Sequence, residues 1–131
     1  MTFLEREEII KFHLSRADET LKEAEHLANE GFWNGVANRL YYACFNAVRA
    51  VFLNDEIESH SHSGLKTLFH KHYIKGKIFD PKLGEILNRL MNLRDDADYK
   101  IKIKFTKEQI EPCIEEARKF IESIEQKITN T

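Results

Sequence analysis

The broadest hydrophobic pattern in the chain lies in residues 35–53, GVANRLYYACFNAVRAVFL. At about 100° per residue, the apolar side chains of this segment cover roughly 220° of a helix surface. A surface helix needs an apolar stripe of only about 100°, so the pattern predicts a central helix that neighbouring helices largely enclose. The remaining sector is narrow and polar. It contains Asn38, Arg39, Tyr42, Asn46 and Arg49.

This polar sector has two interpretations. Buried polar groups need hydrogen-bond partners, so the sector could face a second polar surface, a second subunit or a ligand. Alternatively, Arg39 and Arg49 extend to water along their aliphatic stems, while Asn38 and Asn46 bond locally. The pattern alone leaves both interpretations open.

Helical periodicity recurs in four other segments, approximately residues 4–29, 64–75, 81–99 and 107–127. Asp80 followed by Pro81 predicts the start of the fourth helix, and Thr106 with Gln109 forms a capping box for the last. Between these two helices, residues 100–105 alternate apolar side chains with lysines. The alternation indicates an extended segment, but no second strand is available to pair with it, so we predict an extended connector. The apolar positions of the connector are Ile101, Ile103 and Phe105.

The third predicted helix is short. Ser63 is the expected N-cap of a helix that begins at Gly64, and Gly76 is expected to end it. The helix should bury a narrow stripe. The stripe consists of Leu65, Leu68, Phe69 and His72.

A chain of 131 residues fits one domain, here residues 1–131, and the five helical segments predict an all-α, up-and-down bundle. Its 20 basic and 22 acidic residues nearly cancel, which argues against a globally basic nucleic-acid binder. Cys44 and Cys113 lie among apolar neighbours and are expected to be reduced core residues of a cytoplasmic protein. No apolar run approaches the 18 or so residues of a membrane helix, and the N-terminus does not resemble a signal peptide.

The fourth helix has an anomaly on its apolar face. Arg94 and Asp98 both fall inside that face, one turn apart, and this spacing predicts an ion pair between them. Burying a charged pair is costly unless both partners are satisfied. The two residues therefore form either a structural ion pair at an interface or part of a polar functional site.

Histidines and lysines supply further candidate chemistry. The His-x-His pairs at 60/62 and 70/72 invite a metal interpretation, but residues two apart on a helix point in different directions, and we predict no metal and no cofactor. Two lysine clusters could meet phosphates, although two solvated faces are the simpler interpretation. The clusters are Lys66, Lys71, Lys75 and Lys77, and Lys100, Lys102, Lys104 and Lys107.

Three stretches together resemble the HEPN domain family. They are NRLYYACFNAVRA in the second helix, SHSGLKTLFHKHYI in the loop and third helix, and LRDDADY, similar to the Arg-x-x-Ala-Asp-Tyr signature of its prokaryotic branch. Their order matches, and the similarity covers nearly the whole chain. The resemblance implies a bundle of about five helices that usually dimerises, with polar residues near a shared cleft and a minimal nucleotidyltransferase as a common partner.

Members of other branches are metal-independent ribonucleases with an Arg-x(4–6)-His motif, and this chain departs from that motif. Arg94 is present, but Tyr99 stands at the first position permitted for the histidine, and no histidine follows. In such ribonucleases the arginine would stabilise phosphate charge and the histidine would transfer protons. A tyrosine phenol is a poor base near neutral pH.

The resulting hypothesis is a homodimeric HEPN-type module that binds a nucleotide or RNA phosphate, or a nucleotidyltransferase partner, in a toxin–antitoxin-like pair. The apolar arc and the charged pair place helices two and four near the dimer interface. Arg94 would meet phosphate, with Asp98 orienting it. A metal-independent ribonuclease toxin and a purely structural dimerisation module are the alternatives. The catalytic candidates are Arg94, Asp98 and Tyr99, and the binding candidates are Asn38, Arg39, Tyr42, Asn46, His62, Arg94 and Asp98.

Overall fold

Helices account for nearly all the regular structure in the computed structural model, which describes residues 1–100 and 102–130. These residues contain no strand, so the predicted all-α bundle is confirmed. The five helices are α1 (Phe3–Asn29), α2 (Trp33–Asn54), α3 (His62–Phe69), α4 (Pro81–Tyr99) and α5 (Lys107–Thr129), and α3 continues into a π-helical turn, His70–Ile74.

Helix α2 is the centre of the bundle and packs against α1, α4 and α5. Half of its side chains are buried, including Leu40, Tyr41 and Val48, which are 0% exposed. The predicted enclosure of α2 is confirmed. Since one chain covers this apolar arc, the arc itself does not require a second subunit.

The helix starts follow the capping rules. Thr2 with Glu5 and Thr106 with Gln109 form capping boxes at α1 and α5. At α4, Asp80 accepts a hydrogen bond from the Lys82 amide and Pro81 occupies the first turn. The predicted starts of α4 and α5 are therefore confirmed.

The start of α3 differs from the prediction. Ser61, not Ser63, caps the helix, because its hydroxyl accepts the amide hydrogen of Gly64 at 2.9 Å. The helix consequently begins at His62, which makes this histidine part of the first turn rather than of the preceding loop.

The buried stripe of α3 also differs. Leu65, Phe69 and Tyr73 are buried, whereas His72 is exposed. The π-helical turn holds more residues per turn than an α-helical one, so His72, three residues after Phe69, is carried off the buried face, while Tyr73 stays on it. The prediction that His72 joins the core was wrong because it assumed α-helical periodicity through residues 70–74.

An asparagine fixes the connector between α4 and α5. The Asn34 amide donates to the Ile103 carbonyl at 2.9 Å, and its side-chain oxygen accepts the Phe105 amide hydrogen at 2.8 Å. These two bonds replace the neighbouring strand that the connector lacks, and Phe105 is buried against the core. The predicted alternation is confirmed, because Ile103 and Phe105 pack against the core while Lys102 and Lys104 are exposed; Ile101 lies outside the described residues.

Cys44 and Cys113 are both free and buried, as predicted. Among the described residues, no helix combines the length and hydrophobicity that a membrane span requires.

Glu125 gives the bundle a pH-dependent weakness between α1 and α5. Burial and the nearby charges of Asp18 and Glu122 raise the pKa of Glu125 to about 7, from an ordinary 4.5. As pH rises, the unfolded chain therefore releases this proton at a lower pH than the folded chain does. The free energy of unfolding consequently falls between about pH 4.5 and 7. We expect Glu125→Gln to stabilise the protein at pH 8 by about 1 kcal/mol or less, because the side chain is partly solvated.

Urea denaturation of wild type and variant at pH 4 and pH 8 measures this difference. The two proteins should be equally stable at pH 4. Glu8→Gln, at an exposed position of α1, is the control and should be neutral at both pH values. A variant no more stable than wild type at pH 8 would contradict the expected gain.

Candidate functional site

Arg94 occupies an aromatic enclosure near the end of α4. The residue is 7% exposed, and its guanidinium carbon lies 4.8 Å from the ring centroid of Tyr41, 5.6 Å from that of Tyr42 and 5.8 Å from that of Tyr99. All three distances fall within the range in which an aromatic face attracts a cation. The arginine therefore extends from α4 to Tyr41 and Tyr42 of α2 and also contacts Tyr99 of its own helix.

The guanidinium donors of Arg94 are incompletely satisfied. One terminal nitrogen lies 3.0 Å from the Asp95 carboxylate, and the other donates a long 3.4 Å hydrogen bond to the Tyr42 hydroxyl. The Nε atom is buried and has no hydrogen-bond partner. A buried donor without a partner carries a free-energy cost, which a suitable acceptor would remove.

The predicted ion pair between Arg94 and Asp98 was wrong. Asp98 is exposed and accepts hydrogen bonds from the Asn38 amide, the shorter at 2.9 Å. The Asp98 carboxylate is held by Asn38 of α2 instead, through both of its oxygens. The adjacent Asp95 takes the pairing role instead.

The polar sector of α2 faces the end of α4 and the solvent beside it. The Asn38 side-chain oxygen accepts hydrogen bonds from Arg39 at 2.7 and 2.9 Å, and Arg39 pairs with Glu23 of α1 at 3.3 Å. The guanidinium carbon of Arg39 also lies 5.4 Å from the Tyr42 ring centroid. A continuous polar chain therefore runs from Glu23 through Arg39 and Asn38 to Asp98.

His62 joins the site from α3. Its Nδ1 atom lies 2.8 Å from the Tyr41 hydroxyl, and its ring stacks on Phe45 with a centroid separation of 4.7 Å. Burial and the positive charge of Arg94 lower the pKa of His62, so the imidazole is neutral at pH 7. Burial also raises the pKa of the Tyr41 phenol, which stays protonated. His62 and Arg94 thus contact the same buried tyrosine, Tyr41.

The remaining candidates lie elsewhere. Asn46 lies further along α2, where its side-chain oxygen is 3.1 Å from Nδ1 of His13 and its amide donates to the Tyr42 carbonyl. In the chain apart from Ile101 and Thr131, no three metal-ligating side chains come together.

Sequence reasoning missed three residues that shape the site: Tyr41, Phe45 and Asp95. Tyr41 and Phe45 belonged to the apolar arc, and nothing in their spacing shows that an arginine and a histidine pack on them. The run Arg94-Asp95-Asp96 placed a carboxylate directly beside the arginine, and the structure pairs the two at 3.0 Å.

Fold and sequence together define the class of this chain. The HEPN domain family model matches residues 10–127, so the chain belongs to the HEPN domain family, as its motifs indicated. A Thermotoga maritima UPF0332 protein is 32% identical over 124 residues, which cover 95% of this chain and 94% of that protein.

Two Methanocaldococcus jannaschii proteins are also similar. The one named "Putative toxin MJ0142" is 33% identical over 108 residues, covering 82% of this chain and 74% of its own length. The one named "Putative toxin MJ0605" is 30% identical and covers 82% of this chain and 80% of its own length.

Proposed function

We propose that this chain is a HEPN-type binding module in which Arg94 binds a phosphate group of a nucleotide or RNA. The observation that carries the proposal is the incompletely satisfied guanidinium inside an aromatic enclosure. A guanidinium presents a rigid planar fork of donors that matches phosphate geometry, and it is strongest where water is excluded. Tyr41 and Tyr42 hold that fork in place, which lowers the entropic cost of binding.

A ligand can approach the guanidinium from the side of Asp95 and Tyr99. The Asp95 side chain is 47% exposed, and Tyr99 is 73% exposed. Asp95 can rotate into water and release one terminal nitrogen to a phosphate oxygen. The exposed ring of Tyr99 offers a face on which a base can stack. The site therefore suits a phosphate attached to a base better than a free inorganic anion.

The biological setting we propose is a toxin–antitoxin-like pair with a minimal nucleotidyltransferase in the cytoplasm. Support comes from the family resemblance and from the two relatives that carry the name of a toxin. We further propose a homodimer with α2 and α4 near the interface, supported by the family resemblance, which implies dimers. Light scattering at micromolar concentration measures the assembly, and a monomer would exclude this dimer.

Co-purification from the native host tests the proposed function. A tagged wild-type chain should retain a nucleotidyltransferase, a nucleotide or RNA, each identifiable by mass spectrometry. Titration with AMP and a short RNA then shows whether this chain itself holds the phosphate. If neither ligand binds to the purified chain, the proposed phosphate site is wrong.

The position of His62 favours a second function, a metal-independent ribonuclease toxin. The motif lacks a histidine after Arg94, but the fold brings this upstream imidazole to the tyrosine that contacts Arg94. In the tautomer that donates Nδ1–H to Tyr41, Nε2 is free to take a proton from a ribose 2′-hydroxyl. The 2′-oxygen would attack the adjacent phosphorus and form a 2′,3′-cyclic phosphate, and the bond from phosphorus to the 5′-oxygen would break. The departing 5′-oxygen would take its proton from water, while Arg94 stabilises the charge that develops on the phosphate.

Cleavage of labelled RNA by purified protein in EDTA tests this second function. We expect His62→Ala to reduce cleavage by about 10²–10⁴-fold, the range for a general base. His60→Ala, two residues earlier and exposed, is the matched control and should cleave normally. Absence of cleavage by wild type, or full activity of His62→Ala, would exclude this role.

A further inference from the structure

A lysine-lined groove lies between α4 and the segment formed by α3 and its π-helical turn. It is open to solvent and has a volume of about 500 Å³. The side chains that line it are Lys66, Thr67, His70, Lys71, Lys75 and Asn88, here called the lysine groove.

The charge of the lysine groove is one-sided. Three ammonium groups line it, and no carboxylate does. Among the ion pairs of the described residues, none involves Lys66, Lys71 or Lys75. The chain as a whole carries a net charge of −2, so this positive surface is local. Like charges around one cavity repel each other until an anion binds between them.

Specific packing between the π-helical turn and α4 forms the base of the groove. The His70 Nε2 atom lies 3.1 Å from the Asn88 side-chain oxygen. Gly84 lets this histidine pack on α4, because a Cβ at that position would lie 2.6 Å from the His70 ring. The π-helical turn, His70–Ile74, carries His70 and Lys71, and Lys75 follows it directly. Single π-turns of this kind occur frequently at functional sites.

The groove leads towards the Arg94 site along both of its walls. On α3, Lys66 lies one turn after His62, on the same face. On α4, Asn88 and Asp95 are seven residues apart, which places them about 20° apart around the helix and about 10 Å apart along it. Asp95 contacts the Arg94 guanidinium. A linear ligand at Arg94 can therefore continue into the groove.

We propose that the lysine groove binds successive phosphates of a single-stranded polynucleotide whose leading nucleotide occupies the Arg94 site. This proposal deepens the proposed function and rests on it. A polynucleotide fits because it supplies a row of phosphates for the ammonium groups and a base for the exposed Tyr99 ring. An acidic peptide or an anionic bilayer would supply negative charges but no base for the Tyr99 ring.

Salt-dependent binding of a labelled oligonucleotide tests the groove. Fluorescence anisotropy with a twelve-nucleotide oligo(U) RNA is compared for wild type, a groove variant and a control variant. The groove variant is Lys66→Gln/Lys71→Gln/Lys75→Gln. The control is Lys11→Gln/Lys22→Gln/Lys119→Gln, three exposed lysines on α1 and α5 that remove the same charge.

Each lysine that neutralises a phosphate contributes about 0.7 to the slope of log affinity against log salt for a single strand. We expect the groove variant to lower the magnitude of this slope by about 2 and to weaken binding at low salt by at least tenfold. The control variant should keep the wild-type slope. An unchanged slope in the groove variant, or an equal loss in both variants, would overturn the proposal.

Two further ligands distinguish binding of a polynucleotide strand from other ways in which the lysine groove could bind anions. AMP should bind the groove variant as it binds wild type, since a single nucleotide reaches only Arg94. An equal loss of AMP binding would show an isolated phosphate site, and full displacement of RNA by poly-glutamate at equal charge would show a general acidic-polymer site. Each result would overturn the strand proposal.

The proposal for the lysine groove and the proposal for the Arg94 site can be tested separately. If only the groove is wrong, Arg94→Ala still abolishes AMP binding while the groove variant keeps the wild-type RNA slope. If the proposed function is wrong, Arg94→Ala binds AMP and RNA as wild type does. A deoxyribose oligonucleotide of the same length should show the same slope, because the lysines contact phosphates rather than 2′-hydroxyls.

Discussion

Arg94→Ala should abolish phosphate binding while leaving a folded protein. Charge-assisted hydrogen bonds contribute about 1.5–3 kcal/mol each, so losing one weakens binding by roughly 10- to 150-fold, and losing a bidentate pair by more. The free energy of unfolding should fall by only about 1–2 kcal/mol, from lost cation–aromatic contacts. Breaking a fully buried ion pair would cost about 3–5 kcal/mol, but Asp95 is half-exposed and stays solvated in the variant.

Urea denaturation and AMP titration, performed on the same preparations, measure the two quantities. Arg94→Lys should keep the charge and most of the stability but bind more weakly than wild type, since an ammonium lacks the planar fork. Arg16→Ala is the matched control, because Arg16 pairs with Glu19 on the surface of α1, away from the site. A loss of several kcal/mol in Arg94→Ala with normal binding by the folded fraction would indicate a structural arginine and no site.

The fold was predictable because its signals are local. Periodicity, caps and breakers act within one or two turns, so α4 was predicted from Pro81 to Tyr99 as the structure has it. The broad apolar arc of α2 likewise predicted its central position. These features depend on the side-chain sequence of one segment and not on the packing of its neighbours.

The site was predictable only in part, because its contacts join segments far apart in the chain. Arg94 was recognisable as a charge on an apolar face, but its aromatic enclosure depends on how α2 packs on α4. His62 reaches Tyr41 across 21 residues, and a motif that searches only after Arg94 cannot find it. Helical spacing also favoured Asp98 over Asp95, because spacing alone does not show that Asn38 of α2 binds the Asp98 carboxylate.

The π-helical turn could not be predicted from the local sequence pattern either. Its register depends on tertiary contacts of Phe69 and Tyr73 with other rings, including Phe120 of α5 and Phe52 of α2. An α-helical pattern drawn through the same residues places His72 on the buried face. The wider turn carries His72 off that face and keeps Tyr73 on it, and it also sets where Lys71 and Lys75 emerge along the lysine groove.

Substitutions of Tyr73 and of His72 should therefore change the free energy of unfolding by very different amounts. Tyr73 is 2% exposed, stacks on Phe52 and Phe79, and donates a 2.6 Å hydrogen bond to Asp55. We expect Tyr73→Ala to reduce the free energy of unfolding by about 3–5 kcal/mol, the range for removing a large buried aromatic ring. His72→Ala, at an exposed position, should change it by no more than about 0.5 kcal/mol.

Tyr73→Phe separates packing from hydrogen bonding at the same position. Removing only the hydroxyl costs the bond to Asp55, and charge-assisted bonds of this kind are worth about 1.5–3 kcal/mol. Asp55 keeps the Lys127 ammonium at 2.9 Å in this variant, so the loss should fall at the lower end of that range. Chemical denaturation of the three variants under one condition gives the order Tyr73→Ala, Tyr73→Phe, His72→Ala, from most to least destabilised. If His72→Ala were the more damaging substitution, residues 70–74 would follow an ordinary α-helical register, and the floor of the lysine groove would have to be rebuilt around a different histidine.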